Sequence, residues 1–340
     1  MDALQSIGVF AAQTFLILAA IIIVILVIAL IASRAAGQKS EIEVELIHKK
    51  YKNFANLLKA HTLNKNERKD LKKKVKEERK QNEVQSRTHE KKIFLIDFEG
   101  DIKASAVENL REEITAVLTT ATPDDEVVVR VESPGGVVHG YGLAASQLLR
   151  VREKNIPLTV CVDKVAASGG YLMSVTANKI LAAPFAIVGS IGVVAQVPNF
   201  HRILKKHDVD VKEYTAGEFK RTVSVLGEIT PKGEEKFKQQ LEETHILFKN
   251  FVQKFRPQLD LAEVATGEYW YGEQALNKKL IDEIRTSDDY LMNLSAKHQI
   301  IKVTFEQHES IGDKLTGMIG KATKKGMLSV LEELETRRFL

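Results

Sequence analysis

From Ala3 to Ser33 the chain carries no charged side chain, and Phe15 to Ile31 is almost wholly aliphatic. A run of this kind has no place on a water-exposed surface, and its length decides where it goes. A hydrocarbon core of about 30 Å takes roughly 20 apolar residues as helix, with every backbone polar group satisfied internally. A cleavable leader needs a basic start and a shorter apolar run, whereas this chain begins Met-Asp-Ala. The sequence therefore predicts a membrane anchor over 1–33. Arg34, Lys39, Lys49, Lys50 and Lys52 follow it, and the positive-inside tendency places the C-terminal bulk in the cytoplasm.

Charge is distributed unevenly behind the anchor. Residues 34–92 hold 18 Lys/Arg against 9 Asp/Glu, a local +9, which leaves −5 for the remainder of a chain whose net charge is +4. The basic character belongs to one segment, and this argues against nucleic acid as a partner. Ile47, Tyr51, Phe54 and Leu58 form a short apolar stripe in the segment, while its far part is Lys/Glu/Arg-rich. So short a stripe is thin heptad evidence. It favours a charged, largely helical linker over 34–92 rather than a coiled coil or a lipid-surface tether. Cys161 is the only cysteine, so no disulfide forms within the chain and no thiolate metal cluster is expected.

Regular patterning starts at Lys92. Ile93 to Phe98, Glu126 to Val131 and Pro157 to Val162 read as buried strands. A helix with Leu110, Ile114, Val117 and Leu118 separates the first two. Another, with Leu143, Leu148, Leu149 and Val151 as its apolar points, separates the second and third. Alternation of this kind predicts an α/β domain with a mainly parallel sheet under helical cover. A further β-rich stretch runs from Lys179 to Val197, and a long amphipathic helix from Gly233 to Phe255. The expected organisation is an anchor (1–33), a linker (34–92), a folded domain (93–305) and an amphipathic tail (306–340).

Two glycine-bearing elbows follow strands. Glu132-Ser133-Pro134-Gly135-Gly136 comes after the second strand and Ala166-Ala167-Ser168-Gly169-Gly170-Tyr171 after the third. Small residues let the backbone bend tightly there and approach a ligand. A serine at such a turn stands at the top of the sheet beside helix N-terminal amides, which are oriented donors for an oxyanion. Each motif alone matches an ordinary turn; the ordered pair is far more specific.

These elbows, with Gly189-Ser190-Ile191-Gly192-Val193, Gly267 to Ala275 and Leu280-Ile281-Asp282, resemble the signal peptide peptidase A family of serine peptidases. The resemblance covers Met1 to Glu283 and implies a ClpP/crotonase-like domain of stacked ββα units. Lys279 stands where the family usually has glycine. The resemblance also implies a Ser–Lys dyad with Ser168 as nucleophile and Lys220 as general base. Gly136 and Gly169 are implied as oxyanion-hole amides, and Ser190 as a hydroxyl that orients the lysine. Spacing alone rates Lys164, Lys179 and Lys220 alike. Free lysine titrates at about 10.4, so a neutral amine near pH 7 needs a shift of about 3 units, roughly 4 kcal/mol. Burial supplies such a shift, and Val223, Val225 and Leu226 are candidates for a dry wall.

A Ser–His–Asp set of His139 with Asp163 or Asp97 is the alternative chemistry. His201, His207 and His245 lack metal-ligand spacing, and no cofactor is expected. The expected function is a serine endopeptidase of a bacterial inner membrane, acting on extended apolar or unfolded peptides. One Ser–Lys set per chain points to a homo-oligomeric ring, as in the family. The family also includes enzymes of the exported side. Two rival readings are an inert membrane scaffold, binding lipid or proteins through the linker and the basic, amphipathic tail from Lys314 to Arg338, and an acyl-CoA enzyme on the same fold.

Overall fold

The computed structural model describes residues 40–70 and 91–307, with Leu18, Lys73 and Glu77 singly. The anchor expected over 1–33 and almost all of the tail over 306–340 lie outside these residues. No helix among the described residues is long and apolar enough to cross a membrane.

The elements follow in chain order. Strand β1 (Ser40–Leu46) leads into α1 (Ile47–Thr62), and β2 (Lys92–Glu99), α2 (Val107–Leu118) and β3 (Glu126–Glu132) follow. Next come α3 (Val138–Glu153), β4 (Leu158–Val162), β5 (Val165–Ala167) and α4 (Gly169–Ser174). After β6 (Lys179–Ala182), β7 (Ile187–Gly189) and α5 (His201–Lys206) lies the long α6 (Pro231–Phe255). The chain closes with α7 (Leu261–Val264), β8 (Tyr269–Tyr271), α8 (Gly272–Asn277), β9 (Glu283–Ile284), α9 (Ser287–Ser295) and β10 (Gln299–Gln307).

Seven strands make the main sheet in the order β1-β10-β2-β3-β4-β6-β9. From β10 to β9 each neighbouring pair runs parallel, as the strand–helix alternation predicts. The central strands read as unbroken apolar runs because both of their faces are covered. Phe94, Ile96 and Phe98 of β2 point into the larger cluster, under α2, α3 and α4. Ile93 and Leu95 point the other way, into a smaller cluster with Ile47, Leu291 and Ile300. On α3 the buried face is Tyr141, Ala144, Ala145, Leu148 and Val151, whereas Leu143 is exposed and Leu149 half-buried. Alanines allow the close helix contact here, so of the four expected apolar points Leu148 and Val151 lie on the buried face while Leu143 and Leu149 do not.

Of the segment that composition reads as solvated helix, residues 40–46 form a strand of the sheet and residue 47 opens a helix. β1 flanks β10, Ile47 is buried, and His48 Nδ1 lies 3.1 Å from the Ile300 N–H and carbonyl. A second sheet of three short strands, β5-β7-β8, stands beside the first. Its pairs are Val165↔Ile187, Ala166↔Val188 and Ala167↔Gly189, all parallel, while β7 and β8 run antiparallel.

Lys279 sits at the end of α8 with φ +61°. Its N–H donates to Leu276 O and the N–H of Leu280 to Ala275 O, at 2.9 Å each, the bonding that ends a helix through a left-handed residue. Glycine adopts that conformation without the penalty a Cβ brings, and loses part of the gain through a freer unfolded chain. Lys279→Gly is expected to stabilise the fold by about 0.5–1 kcal/mol. Urea unfolding of the two proteins checks this, and a lower midpoint for the glycine variant would refute it.

Candidate active site

The two elbows meet at the tops of β3 and β5. Ser133 N–H donates to Val165 O at 2.8 Å, and Ala167 N–H returns a bond to Ser133 O at 3.0 Å. Gly135, at φ +89°, fits only without a side chain. A Cβ there would stand 2.8 Å from Ala167 O, Gly169 N and Ser168 Cβ. A Cβ on Gly169 would collide with the Tyr141 ring.

Ser168 joins β5 to α4 with φ +51° and ψ −115°. For a residue with a Cβ this is a strained backbone, stored at about 1–3 kcal/mol and held by its surroundings. What holds it is visible: Ser168 N–H donates to Gly189 O at 2.8 Å, and Ser168 O accepts from Leu172 N–H, also at 2.8 Å. The side chain is half-buried, and its Oγ has no hydrogen-bond partner among the described residues. The N–H groups of Gly136 and Gly169 likewise donate to no acceptor among those residues. The Gly135 turn thus adjoins Ser168 and Gly169, and the hydroxyl and two amides left unpaired among the described residues are groups of the kind that acyl transfer uses for attack and for an oxyanion.

Ser190 lies one position beyond the last β5–β7 pair, level with Ser168, and shares its backbone with φ +52°. Its N–H donates to Glu268 O at 2.7 Å and its Oγ to Gly267 O at 3.3 Å. The fold therefore brings Ser168, Gly169, Ser190 and the Gly135–Gly136 turn together.

Lys220 is not among them. It occupies a turn between α5 and α6, exposed, and its amine makes no hydrogen bond or ion pair among the described residues. Of Val223, Val225 and Leu226, expected as a dry wall, the first is half-buried and the other two are exposed, because the segment packs only sparsely on its own chain.

The rival bases are committed elsewhere. Lys164 bonds both carboxylate oxygens of Glu132 at 2.9 and 2.8 Å, and that bond pushes its pKa up, away from a neutral amine. Lys179 pairs with Glu283 at 2.5 Å. His139 is exposed on α3, and its two candidate acids serve other partners. Asp163 accepts from the Ser287 N–H and Oγ, and Asp97 from Arg130 and Lys302.

One polar chain escaped the sequence reading. Gly135 N–H donates to Ser133 Oγ (3.1 Å), Ser133 Oγ lies 2.5 Å from Tyr141 Oη, and Tyr141 donates to Asp101 O (2.8 Å). Burial pushes the Tyr141 phenol above its ordinary range, so it stays a donor. This chain fixes the first elbow against α3. Its only trace in sequence is a tyrosine eight residues after Ser133.

Comparison with known proteins matches two family models in succession. They are the N-terminal model of peptidase family S49 over residues 2–148 and the peptidase family S49 model over residues 150–300. A probable protease SohB of Haemophilus influenzae is 45% identical over 351 residues, covering 99% of this chain and 98% of that protein. A probable protease SohB of Buchnera aphidicola is 45% identical over 304 residues, covering 86% of this chain and all of that protein. A putative signal peptide peptidase SppA of Enterococcus faecium is 28% identical over 222 residues, covering 61% of this chain and 64% of that protein. A solved structure of the 1510-N membrane-bound stomatin-specific protease aligns with TM-score 0.39 and 14% identity, over 61% of this chain and 85% of that one.

Proposed function

The chain belongs to peptidase family S49, and from that premise we propose that it is a membrane-anchored serine endopeptidase with Ser168 as nucleophile and Lys220 as general base. The observation that carries this reading is Ser168 itself. A serine held at φ +51° on a strand-to-helix turn, with unpaired amides of Gly136 and Gly169 at hand, has no evident structural purpose.

In the proposed reaction Ser168 Oγ attacks the peptide carbonyl carbon while neutral Lys220 takes the hydroxyl proton. The two amides hold the oxyanion; the C–N bond then breaks as the lysine returns its proton to the leaving amine. Water, activated by the same amine, hydrolyses the ester. Ser190 would orient that lysine. Supply of Lys220 from a neighbouring copy, in a homo-oligomeric ring, is the form of the dyad that an exposed, unpartnered Lys220 favours. The exposed Tyr214, Val225 and Leu226 around it favour the same form.

The substrate class we propose is the extended apolar peptide, such as a spent signal peptide or an unfolded membrane-associated segment. No backbone N–H from Ile191 to Gln196 donates a hydrogen bond among the described residues, which leaves an edge for strand addition. The repeated order of β4-β5-α4 and β6-β7-α5 supports the ClpP/crotonase-like assignment of the domain. The apolar run from Ala3 to Ser33 supports a single-pass anchor in a bacterial inner membrane, with the following bases favouring a cytoplasmic domain.

Acid quench during turnover of an activated ester of an apolar peptide tests the nucleophile directly. Mass spectrometry is expected to find one acyl group per chain, on the fragment carrying Ser168. An adduct on Ser133 or Ser190, or none at all, would refute the assignment.

A further inference from the structure

Lys220 lies in a loop whose two ends meet. The loop begins at Asn199 and returns at Ser224 to Gly227, and Asn199 closes it. Its Nδ2 donates to Ser224 O at 2.8 Å and to Gly227 O at 2.9 Å, and the Phe200 N–H donates to Val225 O at 2.8 Å. Asn199 Oδ1 accepts from the His201 N–H at 3.3 Å, so the side-chain amide is engaged as donor and as acceptor. The returning limb carries a second brace. Glu213 pairs with Arg221 Nε at 2.8 Å and accepts from Ser224 Oγ at 3.4 Å, and Ser224 Oγ accepts from the Gly227 N–H at 2.9 Å. Contacts thus run from Asn199 through Ser224 and Glu213 to Arg221, the residue beside Lys220.

Around Lys220 the neighbours are tied and the amine is not. Glu218 is ion-paired with Lys232 of α6, and the centre of the Phe219 ring lies 5.7 and 5.6 Å from the ammonium groups of Lys232 and Lys236. Thr222 O comes so near α6 that a Cβ on Gly233 would stand 2.2 Å from it. Lys220 engages only its backbone, through an N–H that donates to Gly217 O at 3.2 Å. Its amine makes no hydrogen bond or ion pair among the described residues. A free side chain on a held backbone is what delivery of a base to a reacting atom requires. Burial does not supply the hold. Every residue from 205 to 221 is exposed, and exposed ion pairs contribute little one at a time. The neck, where three hydrogen bonds converge on Ser224, Val225 and Gly227, is the tie on which the course of the loop depends most.

We propose that Asn199 is a positioning residue for Lys220. By closing the neck it sets where the amine stands, whether toward the Ser168 of its own chain or that of a neighbouring copy. The inference rests on Lys220 as the general base proposed above.

The test compares the full chain with Asn199→Asp, Asn199→Ala, Lys220→Ala and the double variant Asn199→Asp/Lys220→Ala, on an apolar peptide carrying a fluorogenic leaving group. Aspartate keeps the size of asparagine and its acceptor, yet as a carboxylate it offers no donor to the two carbonyls. Both single Asn199 variants are expected to lower kcat by about 10–100-fold, the order that misplacement of a reacting group by about 1 Å costs. KM and the urea unfolding midpoint should stay at the parent values, because Asn199 is exposed and lies outside the core. In the Lys220→Ala background the Asn199 change should cost nothing further, since the group it positions is already gone.

Parent kcat in both Asn199 variants, with Lys220→Ala inactive, overturns this inference and leaves the dyad standing. A full further loss in the double variant, a raised KM or a lowered midpoint would mean that Asn199 acts on the structure at large, and overturns it too. Activity retained by Lys220→Ala rejects the dyad and this inference together.

Discussion

Ser168→Ala is expected to lower kcat/KM on an unfolded, apolar-rich polypeptide by at least about 10³-fold, and Lys220→Ala by a comparable factor. Members of a catalytic unit fail together, because the nucleophile is inert without its base and the base has nothing to deprotonate without the nucleophile. Neither change should disturb the fold. Alanine suffers the same positive φ as the serine it replaces, and the Ser168 Oγ makes no hydrogen bond among the described residues. Lys220 is exposed and its side chain likewise has no partner among the described residues. Loss of rate with unchanged unfolding midpoints therefore reports chemistry.

Mixing the two variants sharpens the test. If serine and lysine meet across a protomer boundary, co-assembled Ser168→Ala and Lys220→Ala chains regain part of the parent activity. If each chain completes its own site, they do not. A Lys220→Ala protein that keeps its activity would sink the dyad. His139 would then be the next base to remove, since Lys164 is held as an ammonium by Glu132. Equal activity in the parent and both variants would leave the scaffold reading as the better account.

What the sequence reveals and what it hides follow one physical rule. Strands buried on both faces are legible because nothing but apolar residues survives there, so β2, β3 and β4 fall within a residue or two of their expected ends. The elbows are legible because only glycine tolerates the contact at Gly135, and their pairing followed from motif order. β1 was hidden by charge. Ile42, Val44 and Leu46 alternate with Glu41, Glu43 and Glu45 as an edge strand should, but the segment's composition outweighed that period. The polar chain from Gly135 to Asp101 was hidden for another reason, since a hydrogen bond between Ser133 and Tyr141 has no periodic signature. Lys220 is named by motif resemblance alone, and the fold sets it, exposed, apart from the elbows, where neither period nor spacing could have pointed to it.

The largest loss of stability is expected at Asp282. Arg256, at the end of α6, is only 3% exposed and donates to both carboxylate oxygens of Asp282, at 2.8 and 2.9 Å, and to Lys279 O at 2.9 Å. Asp282 accepts in addition from Ile180 N–H at 2.7 Å, which ties the α8–β9 turn to β6. The guanidinium is not fully satisfied even so, since Arg256 Nε is buried without a hydrogen-bond partner among the described residues. Taking the carboxylate away would leave a buried cation with one carbonyl. Breaking such a pair from one side costs about 3–5 kcal/mol, against a total stability of about 5–15 kcal/mol for an ordinary domain. Arg256→Met should cost less, because the thioether fills the same apolar space and the remaining carboxylate, partly open to solvent, keeps its bond from Ile180. Urea unfolding should thus rank Asp282→Ala below Arg256→Met, and both below the parent. The reverse order would mean that the arginine's packing outweighs its charge. Tyr171 adds a functional consequence, since its hydroxyl donates to Leu280 O at 2.8 Å and so anchors α4, the helix that begins at Ser168, to this corner. Asp282→Ala is therefore expected to lose activity with temperature well before the parent, although Asp282 belongs to neither elbow.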